Sequence, residues 1–521
     1  MLETGGDSGS PGGEWPWLPL TDPFKIMSHC CSITDTVCKT EANIAQPNRP
    51  PSTEAGKTLV ILGGGSAAFA AALKAADLGA RAVIINDGLP IGGTCVNVGC
   101  VPSKTMIRAA QTLHRAARPS PFAGVATSGR LTSFKEVTEQ KRALVQELRQ
   151  AKYADVIGDN ERITFVKGRA RLLDARTVAT DTLKLKADAI LIATGARPSV
   201  PPIPGLDQVN YLTNETAFEL ETLPESLLVL GGRYIALECA QMFARFGSRV
   251  TVLQRSERIL PDETPDLTDA LTGFLREEGM DIVTGVRARR VTEHKDGLCV
   301  EAEVHGQPRT FRATHLLVAT GRAPNVENAG LETAGVKTAA RGAIAVDDTL
   351  QTSVPGIYAA GDVLGENMFV YAAAYEGGLA AENALTDARR KRDYTALPWV
   401  IFSDPQLAGV GLDENQAKAQ RIETDVATLS LSHVPRSLVA RDTRGFIKLI
   451  RNRATDRLVG ARILAPEGSE LLMEISLAIR FGITAKDLAS CFHPYLTLSE
   501  GVKLAALTFY KDMGKLSCCA A

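Results

Sequence analysis

Within the 521 residues, the stretch "GGTCVNVGCVPSK" places Cys95 and Cys100 near the start of an expected helix, with Lys104 one helical turn further on. A helix N-terminus and a nearby ammonium both favour thiolate, the form of cysteine that attacks disulfides and binds soft metals. A second thiol pair closes the sequence: "KLSCCAA" leaves Cys518 and Cys519 two residues from its end, where a mobile segment is expected. The chemistry these residues offer is thiol redox chemistry or thiolate ligation.

The elements that must position them follow from the pattern of apolar runs and glycines. "KTLVILGGGSAAFAAALKAADLGARAVIIND" reads as a buried strand, a glycine turn, an alanine-rich helix and a second strand. In it Gly63 makes the turn, Gly65 lets the backbone approach a pyrophosphate, and Ala68 lets helix pack on strand. The acidic residue usual at the end of the second strand is replaced by Asn86, followed by Asp87. The pattern returns in "SLLVLGGRYIALECAQMFARFGSRVTVLQRSERIL", with Gly231 and Ala236 in place but Arg233 at the middle glycine position. After its second strand, Gln254 replaces the acid, and Arg255 and Arg258 are suited to pair with a 2′-phosphate, which favours NADPH over NADH. The alternative is that these two arginines are only a solvated surface. Two such units mean two nucleotide-binding domains rather than a short-period repeat. Further strand-to-turn segments are "DAILIATGARP", "HLLVATGRAPN" with Gly321, and "PGIYAAGDV" with Asp362. From about residue 394 the texture becomes mixed α and β, with "RGFIKLIRN", "RLVGARILA" and "SELLMEISLAIRFG".

The expected division is a disordered, cysteine-containing arm over 1–56, a flavin domain over 57–200 and 321–393, and a nicotinamide-nucleotide domain over 201–320. A third domain covers 394–512 and a tail 513–521. A net charge of −1 offers no basic field for nucleic acid or an anionic membrane. Gly, Pro or charge interrupts every apolar run well short of the ~20 residues that span a bilayer. "MLETGGDSGSPGGEWPWLPLTDPF" lacks the form of a secretory signal, and Met27 offers an alternative start, so the cytoplasm is expected. Ten cysteines in that compartment point to redox or metal chemistry rather than a disulfide framework. Cys239, Cys299 and Cys491 have no partner in sequence and are expected as packing residues.

Over residues 57–517, these motifs resemble the flavin disulfide oxidoreductases, the family of glutathione reductase and dihydrolipoamide dehydrogenase. The resemblance implies an α/β fold with two Rossmann-like domains, for FAD and NADPH, and a C-terminal α+β dimerisation domain. It makes Cys95 the interchange thiol and Cys100 the charge-transfer thiol, pairs Lys104 with Glu238 near the flavin, and puts Asp362 on the ribityl chain. It assigns Asn86, Gly93, Thr94 and Gly321 to cofactor-binding surfaces. It also implies a homodimer, with each tail reaching the other subunit's redox pair.

Thiol-reducing members carry a base histidine ahead of a glutamate in the third domain. In "FHPYLTLSEGVKLAA", anchoring on Glu500 puts Tyr495 at the base position, with His493 two residues earlier. Disulfide exchange needs a group that titrates near neutrality, and a phenol does so near 10. A soft metal ion needs no such base, because it leaves a thiolate without taking a proton. In these features the sequence is similar to the mercuric reductase branch, which reduces Hg(II). That similarity implies a metal site of Cys95 and Cys100 flanked by Tyr153 and Tyr495, and supplied with Hg(II) thiol complexes by Cys518 and Cys519. Read alone, Tyr153 in "AKYADVI" would be a helix-face packing residue. The branch's common N-terminal metal-carrier loop has no match here. The arm's His29, Cys30, Cys31 and Cys38 are either a substitute scavenger or incidental. Two rival readings are a thioredoxin-reductase-like enzyme with a thiol tail, and a metal-sequestering protein on a flavoenzyme scaffold.

Overall fold

The computed structural model describes residues 56–512; the arm cysteines and the terminal Cys518 and Cys519 lie outside them. The chain begins with β1 (Thr58–Leu62), α1 (Ser66–Asp77) and β2 (Arg81–Asn86). Next come the short α2 (Gly93–Asn97), α3 (Cys100–Ala117), α4 (Phe134–Arg149), a π-helical turn over Gln150–Ala154, β3 (Ile163–Lys167) and β4 (Ala189–Ile192). The second unit holds β5 (Ser226–Leu230), α5 (Tyr234–Phe246), β6 (Arg249–Leu253), α6 (Pro265–Glu277), β7 (Asp281–Val283) and β8 (His315–Val318). The chain then returns to the first unit through β9 (Ile357–Ala359) and α7 (Val370–Leu385).

The first sheet has the parallel order β9-β4-β1-β2-β3, and the second the parallel order β7-β6-β5-β8. Parallel sheets are covered on both faces, which is why β1 and β5 read as unbroken apolar runs without alternation. Leu59, Val60 and Ile61 are wholly buried. Ala68 and Ala236 are also wholly buried, where each helix presses on its sheet. The third domain is an antiparallel sheet, β10 (Pro398–Ile401), β11 (Gln406–Gly411), β12 (Thr424–Ser430), β13 (Phe446–Asn452) and β14 (Leu458–Ala465), in the order β10-β11-β14-β13-β12. It is backed by α8 (Leu472–Arg480), α9 (Ala485–Ser490) and α10 (Glu500–Leu507).

Buried ion pairs lock this domain to the second unit. Across the boundary, the buried Arg462 Nε lies 2.8 Å from Glu263 and the buried Lys448 Nζ 2.8 Å from the half-exposed Asp266; within the domain Lys448 also lies 2.8 Å from Glu414. Charges so deeply placed are tolerated only when paired. Cys239 and Cys299 are buried as expected, but Cys491 is exposed. α9 ends one residue before it, and its thiol donates to the Asp487 carbonyl in the last turn of that helix, at 3.4 Å, rather than filling a core.

Candidate redox site and cofactor turns

Gly63 has φ +114°, and a Cβ there would sit 2.1 Å from the Ala193 carbonyl oxygen, so only glycine closes this turn. Gly65 differs: a Cβ on it would meet only Gly93 Cα, at 3.8 Å. Protein packing does not require glycine at 65; a ligand's pyrophosphate passing close to the backbone would. Gly93 leans on this turn, Gly92 N–H donates to Gly64 O at 2.8 Å, and the redox loop is thereby fixed to the cofactor turn. Asn86 lies against Gly64 and donates its amide to Leu89 O at 3.0 Å.

The loop between the cysteines is braced from within. Asn97, buried, donates from Nδ2 to the carbonyls of Pro90, Ile91 and Gly93 at 2.8–3.1 Å. This brace was present in the quoted motif but gave no functional signal of its own. Cys100 opens α3, and Cys95 sits in α2. Both thiols are free and hydrogen-bond to each other. The Cys95 thiol is pushed far up, first because it donates to Cys100 and then by burial. Cys100 is lowered by accepting that bond and by the Lys104 charge, against the opposing effect of burial. Of the two, Cys100 is therefore the sulfur that gives up its proton first.

Lys104, one turn along α3, reaches Glu238 Oε2 at 2.6 Å, while Glu238 Oε1 accepts Phe402 N–H at 2.9 Å. The Lys104 ammonium also lies 4.5 Å from the Phe402 ring centroid. One contact set thus joins the redox helix, the second dinucleotide unit and the third domain.

Tyr153 sits in the π-helical turn, a local widening often found at functional sites. Its ring packs edge-on to Phe69 at 4.8 Å and would lie 3.1 Å from a Cβ on Gly92. Burial first, then the negative charge at the cysteines, raises its phenol. The packing role and proximity to the redox loop both hold.

Asp362 lies 3.7 Å from Arg322 Nε, and burial raises its carboxyl despite that charge. Arg322 Nε is buried with no hydrogen-bond partner, and its guanidinium comes within 3.5 Å of Thr94 Oγ1. An unsatisfied donor and a desolvated acid facing each other fit a polar ligand such as the flavin's sugar chain. Arg322 follows Gly321 in "ATGRAPN" yet was not singled out from sequence. In the second unit Gly231 repeats the Gly63 geometry, with φ +115° and a Cβ that would sit 2.3 Å from Ala319 O. Arg255 and Arg258 are exposed on the segment after β6.

Tyr495 is half exposed, on the loop between α9 and α10. That loop is held by Glu500, whose Oε2 accepts Leu496 N–H at 3.1 Å where Leu496 has φ +62°. Glu500 therefore braces backbone. His493 Nε2 donates to Glu474 Oε1 at 2.6 Å, with only 6% of its side chain exposed. The one imidazole near the base position is tied to a structural carboxylate.

The sequence model of the pyridine nucleotide-disulphide oxidoreductases matches residues 57–377, and that of their dimerisation domain matches residues 397–506. A mercuric reductase of Staphylococcus aureus is 45% identical over 462 residues, 89% of this chain and 84% of that protein. A mercuric reductase of Streptomyces lividans is 44% identical over 89% of this chain and 98% of its own length. Among solved structures, the Cu(II) complex of the HOCl-induced flavoprotein disulfide reductase RclA of Escherichia coli superposes with a TM-score of 0.78 at 30% identity. It covers 88% of this chain and 100% of its own. LpdA of Mycobacterium tuberculosis gives 0.77 at 28% identity over 87% and 100%. Two nucleotide units of one design, a thiol pair anchored to the first, and a dimerisation sheet after them are matched along nearly the whole described chain, which belongs to the pyridine nucleotide-disulphide oxidoreductase family.

Proposed function

We propose that this protein reduces Hg(II) to Hg(0) at the expense of NADPH, as a homodimer that binds FAD. The observation that carries this reading is a free thiol pair, Cys95 and Cys100, with a tyrosine at the base position of the third domain: Tyr495 stands there, and His493, two residues earlier, is committed to Glu474. The 43–45% identity to proteins named mercuric reductase supports the same conclusion.

FAD, when bound, passes the two electrons of NADPH to the metal at the thiol pair. Gly63, Gly65, Ala68, Asn86, Gly93, Thr94, Gly321 and Asp362 hold it, with Arg322 beside Asp362. Gly231, Arg255 and Arg258 hold NADPH, the two arginines reading its 2′-phosphate. Lys104, fixed by Glu238, keeps Cys100 as thiolate. An incoming Hg(II) displaces the Cys95 proton and is held by both sulfurs. Two electrons convert it to Hg(0), which leaves both sulfurs without needing a proton. Tyr153 and the partner copy's equivalent of Tyr495 wall the metal position, with Glu500 holding the Tyr495 loop. Cys518 and Cys519, outside the described residues, strip Hg(II) from its thiol carriers and exchange it into the inner pair. The reading requires a reducing cytoplasm, since an oxidised pair cannot ligate the ion. No described helix is long and apolar enough to cross a membrane.

The test is NADPH oxidation by purified protein given Hg(II) with excess small thiol, a protein disulfide, or neither, with mercury vapour collected. Oxidation and vapour with Hg(II) alone are expected. Turnover of the protein disulfide would favour a thioredoxin-reductase-like enzyme, and binding without oxidation would favour sequestration.

A further inference from the structure

Arg233 occupies the middle glycine position of the second dinucleotide turn and caps α5 with extended backbone, φ −107°. A side chain there sacrifices some close approach of backbone to a pyrophosphate, so the guanidinium needs an account of its own. It forms an ion pair with Asp262, and both side chains are largely in solvent, 52% and 71% exposed. Exposed pairs of this kind are weakly held and exchange partners readily.

Asp262 is set in place from both sides. Leu260 N–H donates to Gly232 O at 2.9 Å, which ties the segment after β6 to the turn itself. Just beyond Asp262, Glu263 is clamped by the buried Arg462 at 2.8 Å, and Asp266 by Lys448. The same segment carries the exposed Arg255 and Arg258, while its Glu257 faces His305 at 3.4 Å. Three exposed arginines thus lie on the turn and on the segment bonded to it.

We infer that Arg233 is a dinucleotide-binding residue that leaves Asp262 when a nicotinamide nucleotide binds and pairs with its pyrophosphate, supplying by charge what the lost glycine would supply by close approach. The inference rests on the reading of the second unit as the NADPH site. Arg233 would act on the group that NADP and NAD share, whereas Arg255 and Arg258 act on the 2′-phosphate that only NADP carries.

The experiment is calorimetric titration of the FAD-loaded protein with NADP⁺ and, separately, NAD⁺. In R233A both affinities are expected to fall by a similar factor, about 10- to 100-fold, the size of one charge-assisted contact. R233K is expected to retain part of the affinity, and the unchanged flavin spectrum verifies the fold. Arg255→Gln with Arg258→Gln should weaken NADP⁺ alone. Wild-type or tighter binding by R233A would overturn the inference, as would a loss confined to NADP⁺. Failure of the wild type to bind either nucleotide would instead remove the NADPH reading, and the inference with it.

Discussion

The charge on Cys100 depends on two neighbours that act differently. Cys95 donates a hydrogen bond that is lost when a metal arrives, while the Lys104 charge persists. Replacing Lys104 with Met should therefore raise the Cys100 titration, read as an upward shift in the pH midpoint of the thiolate-to-flavin charge-transfer band. An unmoved midpoint would show that Lys104 does not set the thiolate. Because Cys95 is raised and Cys100 lowered, Cys100 loses its proton before Cys95 does. Ligation of Hg(II) by both sulfurs should then release about one proton above the Cys100 titration and about two below it, and where one proton is released affinity should climb about tenfold per pH unit. Indicator-dye measurement of protons released on adding one equivalent to the reduced protein decides between these stoichiometries.

At the scale of elements, two turns of the same design are proposed to hold different cofactors, and the backbone makes them separable. Gly63 and Gly231 both have strongly positive φ, with a carbonyl oxygen 2.1 Å and 2.3 Å from where a Cβ would be. Alanine at either position must break its own turn, at a cost of several kcal/mol, roughly 3 or more, from strain and overlap. Gly63→Ala is expected to yield protein largely without flavin. Gly231→Ala should remain yellow and bind thiol reagents at Cys95, yet show no flavin bleaching with NADPH. Absorbance at purification and after NADPH addition measures both, and equal flavin loss in the two variants would mean the turns are not independent. The π-helical turn under Tyr153 and the Glu500 brace under Leu496 show how short elements aim single side chains that their helix neighbours alone would not.

Over the whole molecule, the third domain leaves an apolar face on the single chain. Met473 and Leu477, one turn apart on α8, are 56% and 48% exposed, and Phe481 and Phe492 more so. The loop bearing Tyr495 follows Phe492 directly. A dimer made through this face would cover it and bring Tyr495 toward the partner's thiol pair. Met473→Asp with Leu477→Asp should weaken dimerisation about 30-fold or more, as loss of a buried hot spot does. Sedimentation should then find monomers whose flavin is still reduced by NADPH but whose Hg(II) turnover is lost. Full turnover by a monomer would place the complete site within one subunit.

Much of this was legible in the residues themselves. Unbroken apolar strands, glycine turns and alanine-rich helices announce parallel nucleotide-binding units, because covered sheets and tight turns constrain residue type locally. Cys100 and Lys104 could be read as a reactive set because helical spacing fixes their proximity, and Cys95 joined them through the short loop that carries both thiols. What required the tertiary structure were relations between distant segments, on which no local periodicity bears. Arg322 faces Asp362, and Arg233 finds Asp262 only because Leu260 is bonded to Gly232; the Lys104–Glu238 pair, 134 positions apart, was expected from the family resemblance and not from any local pattern. The exposure of Cys491 was likewise undetermined, since a cysteine's burial depends on what packs over it. The split between Cys95 and Cys100 was also beyond the sequence: charge and helix end favour thiolate at both, and it is the interaction between the two sulfurs that raises one and lowers the other.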